Sequence, residues 1–265
     1  MYNLIKSQNY TIRHSLVSII TLIIIITMPY IGMYFSGVLE GASVEGLTAS
    51  DYLMTIGGTI LEIFLLATMI FAAKAVGGDS GDKTINYELM SGHSRSRVYW
   101  SRIIVGVFWS VILVMIASLI PYGVLTLIHG WGDSTAPKEV LLRLFLVIFP
   151  LMRFAAIFMM LTSLVDSFGG GIAIGYGVVL IETILSAVLE EIVPFDITYI
   201  FSITNLTQMM SSNNSWEFVE NGKVITWFDF TTQNEMIYKT IGVSIMATVL
   251  YMIIGYVVFK KRDKN

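Results

Sequence analysis

Three ionisable side chains lie deep inside long apolar stretches of the sequence: Glu62, Arg153 and Glu182. Each is about eight to twelve residues from the edge of its stretch, which at ~1.5 Å per helical residue places it near the middle of a bilayer. A charge at that depth is costly, so each side chain must face protein or water and find a partner. Comparable depth predicts that Arg153 pairs with Glu62, with Glu182 or with both.

These three residues allow two interpretations. They could line a substrate path or form a proton relay across the membrane. They could instead form an internal ion pair that locks three helices together. We favour the ion pair, because a relay usually lacks a permanent arginine counter-charge.

Other catalytic patterns are missing from the sequence. Gly222–Lys223 is followed by valine and is not preceded by the required glycine, so the phosphate-binding loop pattern fails. Neither a His-Glu-x-x-His nor a Gly-x-Ser-x-Gly motif occurs. The chain has three histidines and no cysteine, which argues against a metal site and excludes disulfides. We therefore expect a chain that is not an enzyme and holds no cofactor of its own.

The elements that position these residues are predicted to be membrane-spanning helices. The 265 residues are 55% hydrophobic and only 13% charged, with a mean hydropathy of +0.74. Windows of about 20 apolar residues, enough to cross the hydrocarbon layer as a helix, recur along the chain. The composition predicts an all-α integral membrane protein with a single domain over 1–265 and six spans: Leu16–Phe35, Leu53–Ala73, Ile103–Ile128, Leu141–Leu164, Gly171–Leu189 and Thr240–Phe259.

Orientation follows from where the basic residues gather. The segment 74–102 is the one long connection between apolar windows that is rich in them, and both chain ends carry more. With a cytoplasmic N-terminus and six spans, eleven of the 16 basic residues fall inside the cell. Both termini are therefore predicted to be cytoplasmic.

Three further segments have local patterns of their own. Residues 1–15 allow either a short interfacial helix, with Leu4, Ile5 and Ile12 near one face, or an ordinary solvated N-terminus. The outer segment 190–239 is predicted to form a small cap, in which Ile197–Met210 lies at or dips into the membrane surface. Within it, Asn221–Gly222 between two strand-like runs predicts a β-hairpin.

Small residues in the fifth span predict close helix packing. Gly171 and Gly175 form a small-xxx-small pattern, which lets helices approach one another closely. The packing could lie within one subunit or between two, and the sequence leaves both open.

The basic segment carries a resemblance to a known family. Its pattern is similar to the segment after the second span of type-2 ATP-binding-cassette (ABC) permeases: an acidic residue, a Thr-Ile turn, a short amphipathic helix and a small-Ser-Arg element before the third span. A Gly92–His93 pair stands where a proline often precedes the Ser-Arg. The coupling residues that the resemblance implies are Asp79, Lys83, Thr84, Ile85, Glu88, Leu89, His93, Ser94 and Arg95.

The physics of this segment is compatible with that role. Ile85, Leu89 and His93 follow one another at helical spacing and would form a single apolar stripe, a knob for a groove on a soluble partner. Arg95, Arg97 and Arg102 could anchor the helix on lipid phosphates or acidic partner residues.

The resemblance implies a function. It implies a permease that works as a dimer, with a second copy or a homologous permease, in the bacterial plasma membrane. Separate cytoplasmic ABC ATPase subunits would bind ATP and Mg²⁺ and act through a coupling helix at about 84–93, and no nucleic acid partner is expected. Family members of this size resemble exporters of amphipathic peptides, including antimicrobial-peptide immunity systems, or of drugs.

Two other classes of function stay open. The first is an ion-coupled transporter or channel that uses Glu62, Arg153 and Glu182 as its relay. The second is an immunity protein that sequesters peptide at the outer segment 190–239.

Overall fold

The fold is a bundle of helices with one small hairpin. The computed structural model describes residues 1–39, 48–76, 84–133, 136–165, 167–193, 198–210, 217–220, 223–226 and 234–261. The elements in these ranges are α1 (Tyr2–Arg13), α2 (Leu16–Leu39), α3 (Ala49–Val76), α4 (Thr84–Met90), α5 (Arg95–Phe108), a π-helical turn (Trp109–Leu113), α6 (Val114–His129), α7 (Pro137–Val165), α8 (Phe168–Ile192), a 3₁₀ turn (Thr198–Ile200), α9 (Ser202–Met210), β1 (Glu217–Glu220), β2 (Lys223–Thr226) and α10 (Asn234–Lys261).

Five of the six apolar windows lie within one helix each, and the third, Ile103–Ile128, runs through α5, the π-helical turn and α6. By length and composition, four helical runs in the described ranges could cross a membrane: Arg95–His129, Pro137–Val165, Phe168–Leu189 and Ile237–Lys261. A fifth is added if α1 and the start of α2, which meet at a bend of 62°, count as one broken span. These helices indicate a membrane-embedded protein. The number of six spans and their orientation stay predictions.

Helix α7 is the centre of the bundle and α8 and α10 are at its periphery. In the apolar window of α7, 61% of the residues are buried within the chain, against 11% in α8 and 17% in α10. Leu151, Phe154 and Phe158 of α7 are completely buried. The outer faces of α8 and α10 carry apolar side chains, as lipid-facing surfaces require.

Gly171 and Gly175 of α8 pack closely against other helices of this chain. A Cβ on Gly171 would come within 2.8 Å of Thr162 and 3.4 Å of Ala73. A Cβ on Gly175 would overlap the ring of Phe158. Of the two interpretations of the small-xxx-small pattern, the structure therefore supports packing within one subunit at these positions.

The N-terminal segment is a helix that packs against the bundle. Leu4 and Ile12 of α1 are buried, and α1 contacts α5, α3 and α2. The indole Nε1 of Trp109, in the π-helical turn, donates a hydrogen bond of 2.7 Å to Asn9 Oδ1. The predicted apolar face of α1 is thus covered by protein.

The predicted hairpin is confirmed. Strands β1 and β2 pair antiparallel with Glu220 opposite Lys223, which leaves Asn221–Gly222 as the two-residue connection. The two turn residues lie outside the described part of the chain.

Candidate functional site

Helix α4 and helix α5 meet in a rigid two-part joint. Gly92 has φ +87° and follows the end of α4, where its N–H donates to Leu89 O and the N–H of His93 donates to Glu88 O. This is a Schellman motif, which satisfies the last carbonyls of a helix and favours glycine at the left-handed position. Ser94 then caps α5, because its Oγ accepts from the N–H of Arg97. The joint fixes the angle between the two helices.

Glu88 connects α4 to three other helices. Its Oε1 accepts a 2.5 Å hydrogen bond from Gln8 Nε2 on α1. Its Oε2 accepts from Arg102 Nη2 at 3.1 Å and from Arg102 Nε at 3.3 Å, on α5. Arg102 in turn donates from Nη1 to the carbonyl oxygen of Ala75, in the last turn of α3, at 3.4 Å. The Glu88 carboxylate therefore links α4 directly to α1 and α5, and through Arg102 to the last turn of α3.

The Glu88–Arg102 ion pair is largely removed from water. The side chain of Arg102 is 1% exposed and that of Glu88 is 15% exposed. Breaking such a pair by removing one partner leaves an uncompensated buried charge, which costs much more than losing a surface pair. This pair is consequently a structural link and not a solvated contact. We call Gln8, Ala75, Glu88 and Arg102 the α4 anchor.

The end of α10 joins the same region. Arg95 Nη1 donates to the carbonyl oxygen of Lys260 at 3.2 Å, a favourable position for a cation at a helix C-terminus. The Tyr99 hydroxyl donates to Met252 O at 2.7 Å. Gly255 makes room for this contact, because a Cβ there would clash with the Tyr99 hydroxyl. Helices α1, α3, α4, α5 and α10 therefore come together at one end of the bundle.

The predicted apolar stripe on α4 is wrong in two respects. Leu89 is partly buried and packs against the core of this chain, so its side chain is not a free knob. His93 lies beyond the end of α4, because Gly92 terminates the helix before it. Among the described side chains of α4, the open apolar ones are Tyr87, 68% exposed, and Met90, 82% exposed.

The remaining predicted coupling residues are only partly described. Asp79 and Lys83 lie outside the described residues, and so do the side chains of Thr84 and Ile85, which begin α4. Ser94 and Arg95 lie in the joint, with the contacts given above. Among the described coupling residues, Glu88 is the one whose side chain joins several helices.

The predicted pairing of Arg153 is also wrong. The Arg153 side chain is buried and donates from Nη1 to the carbonyl oxygen of Tyr199 at 3.3 Å and from Nη2 to that of Ile200. Glu182 Oε2 accepts from the N–H of Ile203 at 3.1 Å. Among the described residues neither forms a salt bridge with the other. Both charges instead bind the backbone of the segment that contains the 3₁₀ turn and α9.

This segment lies inside the bundle. Ser202, Asn205 and Leu206 are fully or almost fully buried, and α9 packs against α7, α3 and α8. Asn205 Nδ2 donates to Thr240 Oγ1 of α10 at 3.0 Å. The prediction that Ile197–Met210 lies at or dips into the membrane surface stays a prediction, and the sequence did not reveal the packing partners of this segment.

Glu62 behaves differently from the other two. It is the one exposed residue between Leu61 and Val76 of α3, where the other fifteen are buried or half-buried. No hydrogen bond or ion pair of Glu62 occurs within the described ranges. It therefore does not take part in an internal ion pair with Arg153.

Two anchoring residues escaped the analysis of the sequence. Gln8 was not singled out, although it lies between Leu4 and Ile12 at helical spacing, and a polar residue inside an apolar stripe signals a buried contact. Arg102 was assigned to lipid or partner contacts. Its pairing with Glu88 could not be read from a local sequence pattern, because the two residues lie 14 positions apart on different helices.

The described residues contain no group of three or more acidic or histidine side chains that could hold a metal ion. Fold and site together define a membrane-embedded helical protein whose helices are linked at one end by a short amphipathic helix. The chain belongs to the family described as "Protein of unknown function (DUF2705)", whose model matches residues 15–264. No curated protein matches the chain.

Proposed function

We propose that this chain is the permease subunit of an ATP-driven exporter, moved by separate cytoplasmic ABC ATPase subunits. The observation that carries the proposal is the α4 anchor. A short helix that is joined through Glu88 and Arg102 to three longer helices transmits a displacement to all of them at once. In this proposal α4 is the coupling helix, and ATP and Mg²⁺ bind on the partner.

The joint between α4 and α5 gives the motion a direction. The Schellman turn and the Ser94 cap prevent α4 from rotating freely relative to α5. A push on α4 therefore tilts α5 and reaches α10 through the contacts of Arg95 and Tyr99. The chain needs only two packings of its helices, since the energy comes from the partner.

The partner-facing surface consists of the open side of α4 and the start of α5. Tyr87 and Met90 are exposed on α4, and Arg97 is exposed in the first turn of α5. Exposed aromatic and methionine side chains next to arginine have the composition of a protein interface. We assign the docking role to Tyr87 and Met90 in place of Leu89.

Orientation and assembly complete the proposal. The end of the bundle that carries α1, the joint and the end of α10 also carries Lys6, Arg13, Lys260 and Lys261, a basic surface that favours the cytoplasmic side. With six spans, both termini and α4 would lie in the cytoplasm of a bacterial cell. A dimer with a second permease and a cargo of amphipathic antimicrobial or toxin-like peptides, or of drugs, follow from the family resemblance.

Two matched substitutions test the proposal. Met90→Gln and Leu127→Gln each replace a largely exposed apolar residue, 82% and 88% exposed, at different helix ends. The tagged chain is co-expressed with an ABC ATPase from the same genome and purified in mild detergent. We expect the wild type and Leu127→Gln to retain the ATPase and Met90→Gln to lose it.

Two results would contradict the proposal. One is equal retention of the ATPase by both variants. The other is transport in vesicles that contain this chain alone and are energised by a pH gradient, which would favour an ion-coupled transporter.

A further inference from the structure

The 3₁₀ turn and α9 are held inside the bundle by two opposite charges. Arg153 binds the carbonyl oxygens at the end of the 3₁₀ turn, and Glu182 binds a free N–H in the first turn of α9. These backbone groups have no partner within a helix, because the chain breaks between the two elements at Phe201. In a membrane such groups must be satisfied by protein, and the two charges do so.

The two charges lie at similar depth on neighbouring helices. Arg153 is 12 residues before the end of α7 at Val165, and Glu182 is 14 residues after the start of α8 at Phe168. At ~1.5 Å per residue both are roughly 20 Å from the end at which α7 and α8 are connected. The backbone groups that the two side chains bind lie within five consecutive residues, from Tyr199 to Ile203, so both charges reach the same short stretch of chain.

The polar contacts of the inserted segment are incomplete. Arg153 Nε, Asn205 Oδ1 and Ser244 Oγ are buried and form no hydrogen bond within the described part of the chain. Buried polar groups without partners weaken the state that contains them. The inserted position of α9 is therefore stabilised by a few specific hydrogen bonds and destabilised by the buried polar atoms that have no partner.

We propose that residues 198–210 form a movable plug with two positions, and that Arg153 and Glu182 are its latch. In the inserted position, which the structure shows, each charge binds the backbone of the plug. In the withdrawn position the two side chains bind each other, so neither charge is left alone in the bilayer. The plug can thus withdraw from the bundle without the free-energy cost of leaving an unpaired charge in the membrane.

This inference does not rest on the proposed function, because the latch requires no ATPase. It gives the bundle an element whose displacement would open a space between α3, α7 and α8, the helices that α9 contacts. An element with two discrete positions is what a membrane path needs in order to open and close.

The absence of cysteine makes a direct test possible. Leu206→Cys, at a position 1% exposed in α9, reports on the plug, and Ala155→Cys, at a position 0% exposed in α7, reports on the bundle. Each variant of the full chain is reconstituted into phosphatidylcholine vesicles, and the rate of reaction with a water-soluble maleimide is measured. We expect the cysteine at 206 to react at least about tenfold faster than the cysteine at 155. Residue 206 becomes exposed when the plug withdraws, whereas residue 155 becomes exposed only when the bundle itself opens.

Glu182→Gln distinguishes a latch from a simple cap. The glutamine oxygen can still accept from the N–H of Ile203, but it no longer carries the charge that pairs with Arg153 in the withdrawn position. We expect labelling at 206 to slow by about tenfold, because withdrawal would now expose an unpaired arginine to the bilayer. Labelling at 155 should not change.

Three results would overturn the proposal. Equal reactivity of the two cysteines in the wild-type background would mean that α9 does not move separately. Unchanged or faster labelling at 206 in Glu182→Gln would mean that the charge serves only as a cap. A rise at both positions would mean that the charge holds the whole fold together.

Discussion

Removing the Glu88 carboxylate tests the physical basis of the α4 anchor. In Glu88→Ala the guanidinium of Arg102, whose side chain is 1% exposed, keeps its contact with Ala75 O but loses its acidic partner. Breaking a buried ion pair from one side costs about 3–5 kcal/mol. Because Glu88 is itself 15% exposed, we expect the lower end, about 3 kcal/mol. This corresponds to a roughly 150-fold decrease in the ratio of folded to unfolded protein.

The measurement is equilibrium unfolding in mixed micelles, followed by the fluorescence of the five tryptophans. Tyr87→Ala is the matched control, because Tyr87 is the neighbouring residue on α4 and is 68% exposed. We expect the control to change the free energy of unfolding by only about 0.5 kcal/mol. Gln8→Ala, which removes a hydrogen bond to a charged group and leaves the ion pair, should cost about 1.5–3 kcal/mol, less than Glu88→Ala.

A double variant separates two contributions to the loss of stability: the missing contact of Glu88 and the buried charge of Arg102 that is left without a partner. Glu88→Gln keeps the length of the side chain but, like Glu88→Ala, leaves Arg102 without a counter-charge. If that unpaired charge causes the loss of stability, adding Arg102→Met should recover most of it, because an apolar side chain of similar length needs no partner. The reasoning would be refuted if Glu88→Ala and Tyr87→Ala were equally stable. It would also be refuted if Arg102→Met made the Glu88→Gln variant still less stable.

Three further predictions concern glycine and cap positions and use the same unfolding measurement. Gly175→Ala should destabilise the protein by about 1–3 kcal/mol, since the added methyl group overlaps the ring of Phe158. Gly177→Ala is the control: no atom lies within 4 Å of the added Cβ, so this variant should be neutral or stabilised by up to about 1 kcal/mol. A loss of the same size in both variants would disprove the packing argument. Gly92→Ala should cost about 1–2 kcal/mol because φ at this position is +87°, and an unchanged stability would mean that the Schellman turn is not needed. Ser94→Ala should cost about 1 kcal/mol by removing the cap of α5, and Ser94→Asp should restore most of it.

The positions of the helices and of the hairpin could be predicted because they depend on local patterns. A long apolar run forms a helix in a membrane whatever its neighbours are, since no other conformation satisfies the backbone there. The hairpin at Asn221–Gly222 was equally local, because the two turn residues and the flanking strands set its register.

The inner face of α4 could be predicted only in part. The spacing of Leu89 showed that it belongs to an apolar stripe, but not whether that stripe meets this chain or another one. The packing of Leu89 against the core decided the question. Likewise, Gly92 was noted as a departure from the resembling family, and its positive φ explains the departure, since a left-handed turn ends α4 where a proline would not fit.

The sequence by itself determined that this chain is apolar enough to be embedded in a membrane, where its helices lie, and that three charges inside those helices need partners. Only the tertiary structure decided which partners they have: Arg153 and Glu182 bind the backbone of the inserted 3₁₀ turn and α9, and Glu62 stays exposed on α3. The reason is physical. Hydrophobicity and helical period act within a few residues, whereas a buried charge accepts any suitably placed donor or acceptor, and packing between distant segments alone determines which one is within reach.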